Sequence, residues 1–401
     1  MPLLNLPPFL LRYTFFVFSG ALLGLGGCID PFEPEVRVQD TKALVVDGFI
    51  NSNGRTTIRL SHTYDLEATS GPSTEDKAQV LIQGEGTGEE YVLREVKSGT
   101  YVSDSLVLNP TTKYRLFFRT KDSRQQVTGQ YASAYSSVKT SPPIDALTWK
   151  VVPRGLELYA NTHDATGNSV YYRWDYTETW EFTSVRPSYF VYENHKMRRR
   201  RPDEDIYTCW QTVHSPSIKL TNTKRLSQDE VRAFPLIEFP AGDTRLRYKY
   251  SVLVRQYTMG PEEYAYWEAL KKNTETIGSL FDPLPSQSTG NVRNLNKPNE
   301  PVLGYVGVGS VTQQRIFIAA KQLPEWQFKT GYESCGNLPA DVLPIEGTPY
   351  PVVLEETFGS GDNIPIYQYI NEEFGSIYTS YPVECADCRL RGTTTRPSFW
   401  Q

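Results

Sequence analysis

Between Tyr172 and Phe182 the residues Tyr172, Trp174, Tyr176, Trp180 and Phe182 fall on even positions, with Arg173, Asp175, Thr177, Thr179 and Glu181 between them. A period of two is the spacing of a strand with one buried and one wet face, whereas on a helix these rings would point in all directions. The alternation returns in Arg245–Tyr257, where Leu246, Tyr248, Tyr250, Val252 and Val254 share a side. It returns again in Lys113–Thr120, with Tyr114, Leu116 and Phe118 on one face and Lys113, Arg115 and Arg119 on the other; Phe117 breaks the pattern. A chain patterned this way is mainly β. Its 26 Tyr, 18 Phe and 7 Trp suit the half-buried surfaces of pleated sheets.

The turn signals divide the chain. The run Leu44-Val45-Val46-Asp47-Gly48-Phe49-Ile50 leads to Asn53-Gly54, a strong hairpin dipeptide, and then to the alternating segment 55–61. Further short runs at 79–83, 90–95, 101–103, 113–120 and 125–131 bring the number to about seven in residues 41–140. That spacing predicts an N-terminal immunoglobulin-like β-sandwich. Ser141-Pro142-Pro143 marks a boundary, because paired prolines cannot continue a ladder. Residues 141–401 then form a larger β-rich domain with a pair of strands over 303–321 turning near Thr312-Gln313. One amphipathic helix is expected near 261–277: Pro261 opens it, Glu262 and Glu263 suit its first turn, and Gly278 stops it. Its stripe Tyr264, Trp267, Leu270, Thr274 and Ile277 reads first as core packing.

The N-terminus speaks to location. After Arg12 comes an uncharged run, Tyr13 to Gly27, too short for a membrane span but suited to a signal peptide. It closes on Leu25-Gly26-Gly27-Cys28, a lipobox-like ending in which small residues admit a peptidase and the Cys28 thiol takes the lipid. Residues 1–27 therefore read as a lipoprotein signal peptide, and Cys28 as a membrane anchor carrying two or three acyl chains. Residues 28–40, with Pro31, Pro34 and the acids Asp30, Glu33 and Glu35, read as an acidic tether.

Four cysteines remain: Cys209, Cys335, Cys385 and Cys388. An even number in an exported chain favours disulfides, with three connectivities open. The Cys385-Ala386-Asp387-Cys388 spacing also fits a redox dithiol, but no thioredoxin-like βαβ pattern surrounds it. Zinc usually takes two close cysteine pairs, and Cys209 and Cys335 are far apart. The favoured arrangement joins Cys385 and Cys388 each to a distant cysteine, stapling the C-terminal tail to its domain.

Little in the chain points to chemistry. A formal charge of −5, becoming −6 once Arg12 is removed with residues 1–27, offers no general pull toward nucleic acid. His62, His163, His195 and His214 have no metal-ligand spacing, and no Gly-x-Ser-x-Gly elbow holds a serine. No catalytic residue, metal or cofactor is assigned, and the chain reads as a non-enzyme. Arg198, Arg199, Arg200 and Arg201, preceded by Lys196, form the sharpest charge feature: an anion or partner contact, or a solvated loop balanced by Asp203, Glu204 and Asp205.

Several segments, in this order, carry a family resemblance: residues 44–50 leading into 57–61, Gly278–Pro285 with Gly290-Asn291, Leu303–Gly307, Glu384–Gly392 and Pro397–Trp400. In these the chain resembles Bacteroidota lipoproteins of the domain-of-unknown-function 4249 family. The resemblance implies an outer-membrane, lipid-anchored protein exposed at the cell surface, with no activity to carry over. The expected role is that of a non-catalytic accessory or ligand-binding subunit, partnering a TonB-dependent outer-membrane barrel. The alternatives are a structural or adhesive envelope protein and, behind it, a surface polymer hydrolase.

Overall fold

The computed structural model describes residues 43–64, 71–275, 290–336 and 338–401. The expected signal peptide over 1–27, Cys28, the expected tether over 28–40 and residues 278–285 lie outside them. The described chain is mainly β, and Ala43–Gln401 forms one compact unit.

Residues 43–137 supply β1 (Leu44–Asn51), β2 (Asn53–His62), β3 (Gln79–Gly84), β4 (Glu90–Lys97), β5 (Thr100–Val107), β6 (Lys113–Lys121) and β7 (Val127–Ser133). Strand number and spacing follow the alternation read from the sequence; the connection between them does not follow a sandwich. β4 pairs with β3 and with β5, so the two halves are one continuous sheet, β7-β6-β3-β4-β5-β2-β1, instead of two separate ones. Val292–Asn294 adds to the β7 edge and Val302–Leu303 to the β1 edge. Only residues 295–301 separate these two additions, so the ends of the sheet come together and the barrel is nearly closed. The core inside it holds Ile50, Ile58, Ile82, Leu116 and Phe118 from residues 43–137, and Val292, Val302, Val306 and Val308 from the returning segment. Phe117, out of step with its neighbours, packs outside with Leu81 and Ala132, beneath the guanidinium groups of Arg115 and Arg119.

Beyond residue 140, a three-stranded sheet of Ile144–Val152, Gly155–His163 and Glu230–Pro240 shares a core with a five-stranded sheet. The latter is centred on Tyr171–Thr183 and Lys249–Met259, paired in register from Tyr171 opposite Met259 to Trp180 opposite Tyr250. Tyr172, Trp174 and Tyr176 point into that core, as the period of two requires. Val311–Ala319 runs unbroken through Thr312 and Gln313; the expected turn there is absent, and the chain changes sheet at Ser310 instead. The Ser141-Pro142 connection is bound on several sides. Ser141 Oγ donates to the Ser310 carbonyl (2.7 Å), and the Pro142 carbonyl accepts from Gln256 Nε2 and Thr312 Oγ1, each at 2.9 Å.

The helix α1 (Pro261–Glu275) begins where expected; its end near Ile277 and Gly278 lies outside the described residues. A smaller C-terminal layer pairs Gly375–Pro382 with Ala340–Val342 and Asn363–Asn371, with helix α2 (Tyr350–Phe358) packed beside it. Two disulfides, Cys209–Cys388 and Cys335–Cys385, hold the tail. Near its end Trp400 is buried edge-on against Trp210 and Phe317.

Candidate binding cleft

The odd positions of Tyr171–Thr183 are the ones that matter outside the core. Because Tyr172, Trp174 and Tyr176 turn inward, Arg173 and Asp175 turn outward, onto a cleft of about 810 Å³. Its opposite wall is the β1–β2 hairpin, with Asn51, Asn53, Arg55 and Thr57, and α1 closes one end with Glu263 and Trp267. The carboxylates and arginines here are mostly matched. Arg255 Nη1 meets Asp175 Oδ1 at 2.9 Å, and Arg59 Nη1 meets Asp47 Oδ2 at 3.3 Å.

Arg173 is the exception. Its guanidinium carbon lies 4.3 Å from the ring centre of Tyr257, its cross-strand partner, and 4.4 Å from that of Trp267 on α1. Cation–π attraction holds it between the two faces. Tyr257 is itself fixed by the edge of Phe49, 5.2 Å away. Yet Arg173 makes no hydrogen bond and no ion pair among the described residues, and its Nε is sealed from solvent without an acceptor. The indole N–H of Trp267 is likewise buried and has no acceptor at normal hydrogen-bond geometry.

Glu263 lies behind this pair. It is the buried residue of α1, only 6% exposed, although a charged side chain in a first helical turn ordinarily faces water. Gly307 makes the space: a methyl group built there would overlap both Glu263 carboxylate oxygens. Burial pushes the carboxyl up to about 7, against the opposing pull of the Arg173 charge and of the Trp267 N–H on its side. The same carboxylate helps burial to raise Tyr305, which reaches about 12.

A pH dependence follows. Folded Glu263 binds its proton more tightly than the unfolded chain does, so its contribution to stability is greatest at low pH. It is lost as pH rises from about 4.5 to about 7. The expected loss is on the order of 3 kcal/mol across that window. Unfolding measured at pH 5 and pH 8 should show it, and Glu263→Gln should flatten it; an equal slope in both proteins would refute the assignment.

The arginine run lies elsewhere. Arg198 is held by Glu193 (2.7 Å) and by both oxygens of Glu204 (2.7 and 2.8 Å), and Arg201 meets Glu204 at 2.7 Å. Arg200 Nε donates to Ser188 Oγ (2.9 Å), and Arg199 lies over Phe190. These contacts draw Glu204 down to about 2, the Arg198 bonds first among them. The run thus has intrachain partners, most of its charge matched locally. Cys385 and Cys388 bond to different distant cysteines, so in this structure they are not a dithiol pair. His214 lines the cleft and meets Thr177 Oγ1 at 3.1 Å.

Sequence reasoning did not single out Arg173, Glu263 or Trp267 as a group. The outward odd positions of the Tyr172–Phe182 strand were visible, and so were the acids opening α1. Their meeting was not, because it depends on where α1 packs. A second cavity, of about 700 Å³, lies on the other side of α1 between Tyr266, Arg115 and Asn291.

No curated protein matches the sequence. One solved structure, "Complete structure of manganese lipoxygenase of Gaeumannomyces graminis and partial structure of zonadhesin of Komagataella pastoris", overlaps 55% of this chain and 90% of its own at 8% identity. Its TM-score of 0.14 is too low to carry an argument. The family model described as "Domain of unknown function (DUF4249)" matches residues 29–315, a span that includes both walls of the cleft and α1. The chain belongs to the DUF4249 family.

Proposed function

We propose that this chain is a non-catalytic, ligand-binding lipoprotein of the outer membrane, anchored through Cys28 at the cell surface and partnered with a TonB-dependent transporter. The observation that carries the binding role is the cleft itself. It is roomy enough for a small molecule, and pre-formed donors and aromatic faces converge in it around Arg173. The lipobox and the acidic tether support the location. In this reading the nearly closed sheet built on residues 43–137 serves as the module that carries one wall of the cleft.

A pull-down from native membranes tests the partnership. The affinity tag belongs in the exposed β3–β4 turn at Gly86-Thr87, because Trp400 is packed into the fold. Near-equal recovery of a large barrel transporter is expected. Recovery of the lipoprotein alone would move the structural or adhesive reading ahead of it.

A hydrolase reading has one observation in its favour, a carboxyl held near neutral pH at Glu263. Asp175, another carboxylate of the cleft, is taken by Arg255. Turnover of surface polymers that disappears in Glu263→Gln would reverse the order of these readings.

A further inference from the structure

The binding reading leaves open what the cleft takes, and the inference here rests on that reading. Arg173 narrows the choice. An arginine clamped between two rings has lost most of its rotamer freedom, so the cost of ordering it is already met when a ligand arrives. Its Nε is sealed, no hydrogen bond or ion pair engages its terminal nitrogens among the described residues, and the residue lines the cleft. Two parallel N–H donors at the end of a fixed guanidinium match the two oxygens of a planar oxyanion.

Charge decides the kind of oxyanion. The Arg59–Asp47 and Arg255–Asp175 pairs are already formed, leaving Arg173, the exposed Arg55 on the hairpin and the carboxyl of Glu263. A singly charged group is balanced by Arg173 alone. A doubly charged one would bring its second charge toward Glu263 and the two paired aspartates, with only Arg55 to offset it. The flanking faces of Tyr257 and Trp267 also favour a flat group over a tetrahedral one.

We propose that Arg173 is the anchor of a carboxylate subsite: a small ligand docks a single carboxylate end-on to its terminal nitrogens and lays its body along the Asn51–Thr57 wall.

Isothermal calorimetry on the full chain in mild detergent tests this with four probes: benzoate, glucuronate, glucose and inorganic phosphate. Both or either of the carboxylates should bind saturably at one site, while glucose and phosphate should bind at least about tenfold more weakly. The tighter carboxylate identifies the body that the wall prefers, a flat apolar ring or a hydroxyl-bearing one. Arg173→Gln should weaken that carboxylate about ten- to a hundredfold, and Arg173→Lys, which keeps the charge but not the fork, should not restore it. Phosphate binding as tightly as the carboxylates, or carboxylate affinity unchanged in Arg173→Gln, would overturn the proposal. If neither variant folds, the wild-type series still decides: no saturable binding of either carboxylate overturns it. None of these results depends on recovery of a transporter, so this proposal and the partnership can fail separately.

Discussion

Replacing Trp174 with alanine is expected to lower stability by roughly 3–5 kcal/mol, the range for deleting a large buried aromatic side chain. Trp174 is 1% exposed, stacks on Phe234 at 4.6 Å and on Tyr172 at 5.8 Å, and fills the centre of the core between the two sheets beyond residue 140. A polar cost adds to the cavity. The indole N–H donates to Gln256 Oε1 at 2.9 Å, while Gln256 Nε2 donates to the Pro142 carbonyl and to Thr162 Oγ1 at 2.9 and 3.0 Å. Gln256 is wholly buried, so an acceptor left unpaired there costs about 1–3 kcal/mol. Trp174→Phe shifts the balance between the two effects, since it keeps a stacked ring and so leaves a smaller void while losing the donor altogether. Denaturant unfolding of both variants should rank alanine well below phenylalanine. A loss under about 1 kcal/mol for alanine would mean that this core is not what holds the sheets together.

The second large effect is expected from the tail. Removing the Cys209–Cys388 bridge by a double alanine substitution should cost about 2–5 kcal/mol. This bridge spans 179 residues, against 50 for Cys335–Cys385, and a longer closed loop restrains the unfolded chain more. On that account its loss should exceed the loss of the shorter bridge by about 1 kcal/mol. The two double variants, compared by their unfolding midpoints in the same denaturant, provide the measurement. The reverse ranking would show that local packing around Phe182 and Tyr332, and not loop length, sets what the Cys209 bridge contributes.

Much of the fold was legible because β structure writes a short-range signal. Tyr114, Leu116 and Phe118, or Tyr172, Trp174 and Tyr176, declare an inward face within a few residues, and the structure buries each of them. The partner of each strand is a long-range matter and was not legible. Nothing near Glu90–Lys97 announces that both edges of β4 are bonded, which is what turns an expected pair of sheets into one curled sheet. The return of Val292–Gly309 to the β7 and β1 edges was hidden for the same reason: its strands are two or three residues long, too short to show an alternation.

The cleft shows the same division. Arg173 was visible as an outward residue, but its isolation from any acceptor is a property of the packed molecule. Glu263 looked like an ordinary acid at a helix start, favourable beside the N-terminal dipole. Its burial depends on Gly307, which is 44 positions away along the chain and has no side chain to signal the contact. The stripe Tyr264, Trp267 and Leu270 indicated a packed helix face, and Trp267 does pack, although against a guanidinium and not an apolar core.

The pairing of β1 with Gly307–Gly309 also bears on how the chain reaches its folded state. Phe49, near the start of the described chain, lies opposite Gly307, and the barrel core is not filled until Val306 and Val308 arrive. As the chain is made from its N-terminus, about 250 residues must follow β1 before that strand gains its last neighbours. Until then β1 has an open edge and a partly empty core behind it, the condition under which strands of separate chains associate. Any folding route for this chain therefore leaves the β1 edge open until about three-quarters of the polypeptide is available, and a chaperone that shields β1 would have most to do before residue 309 is in place.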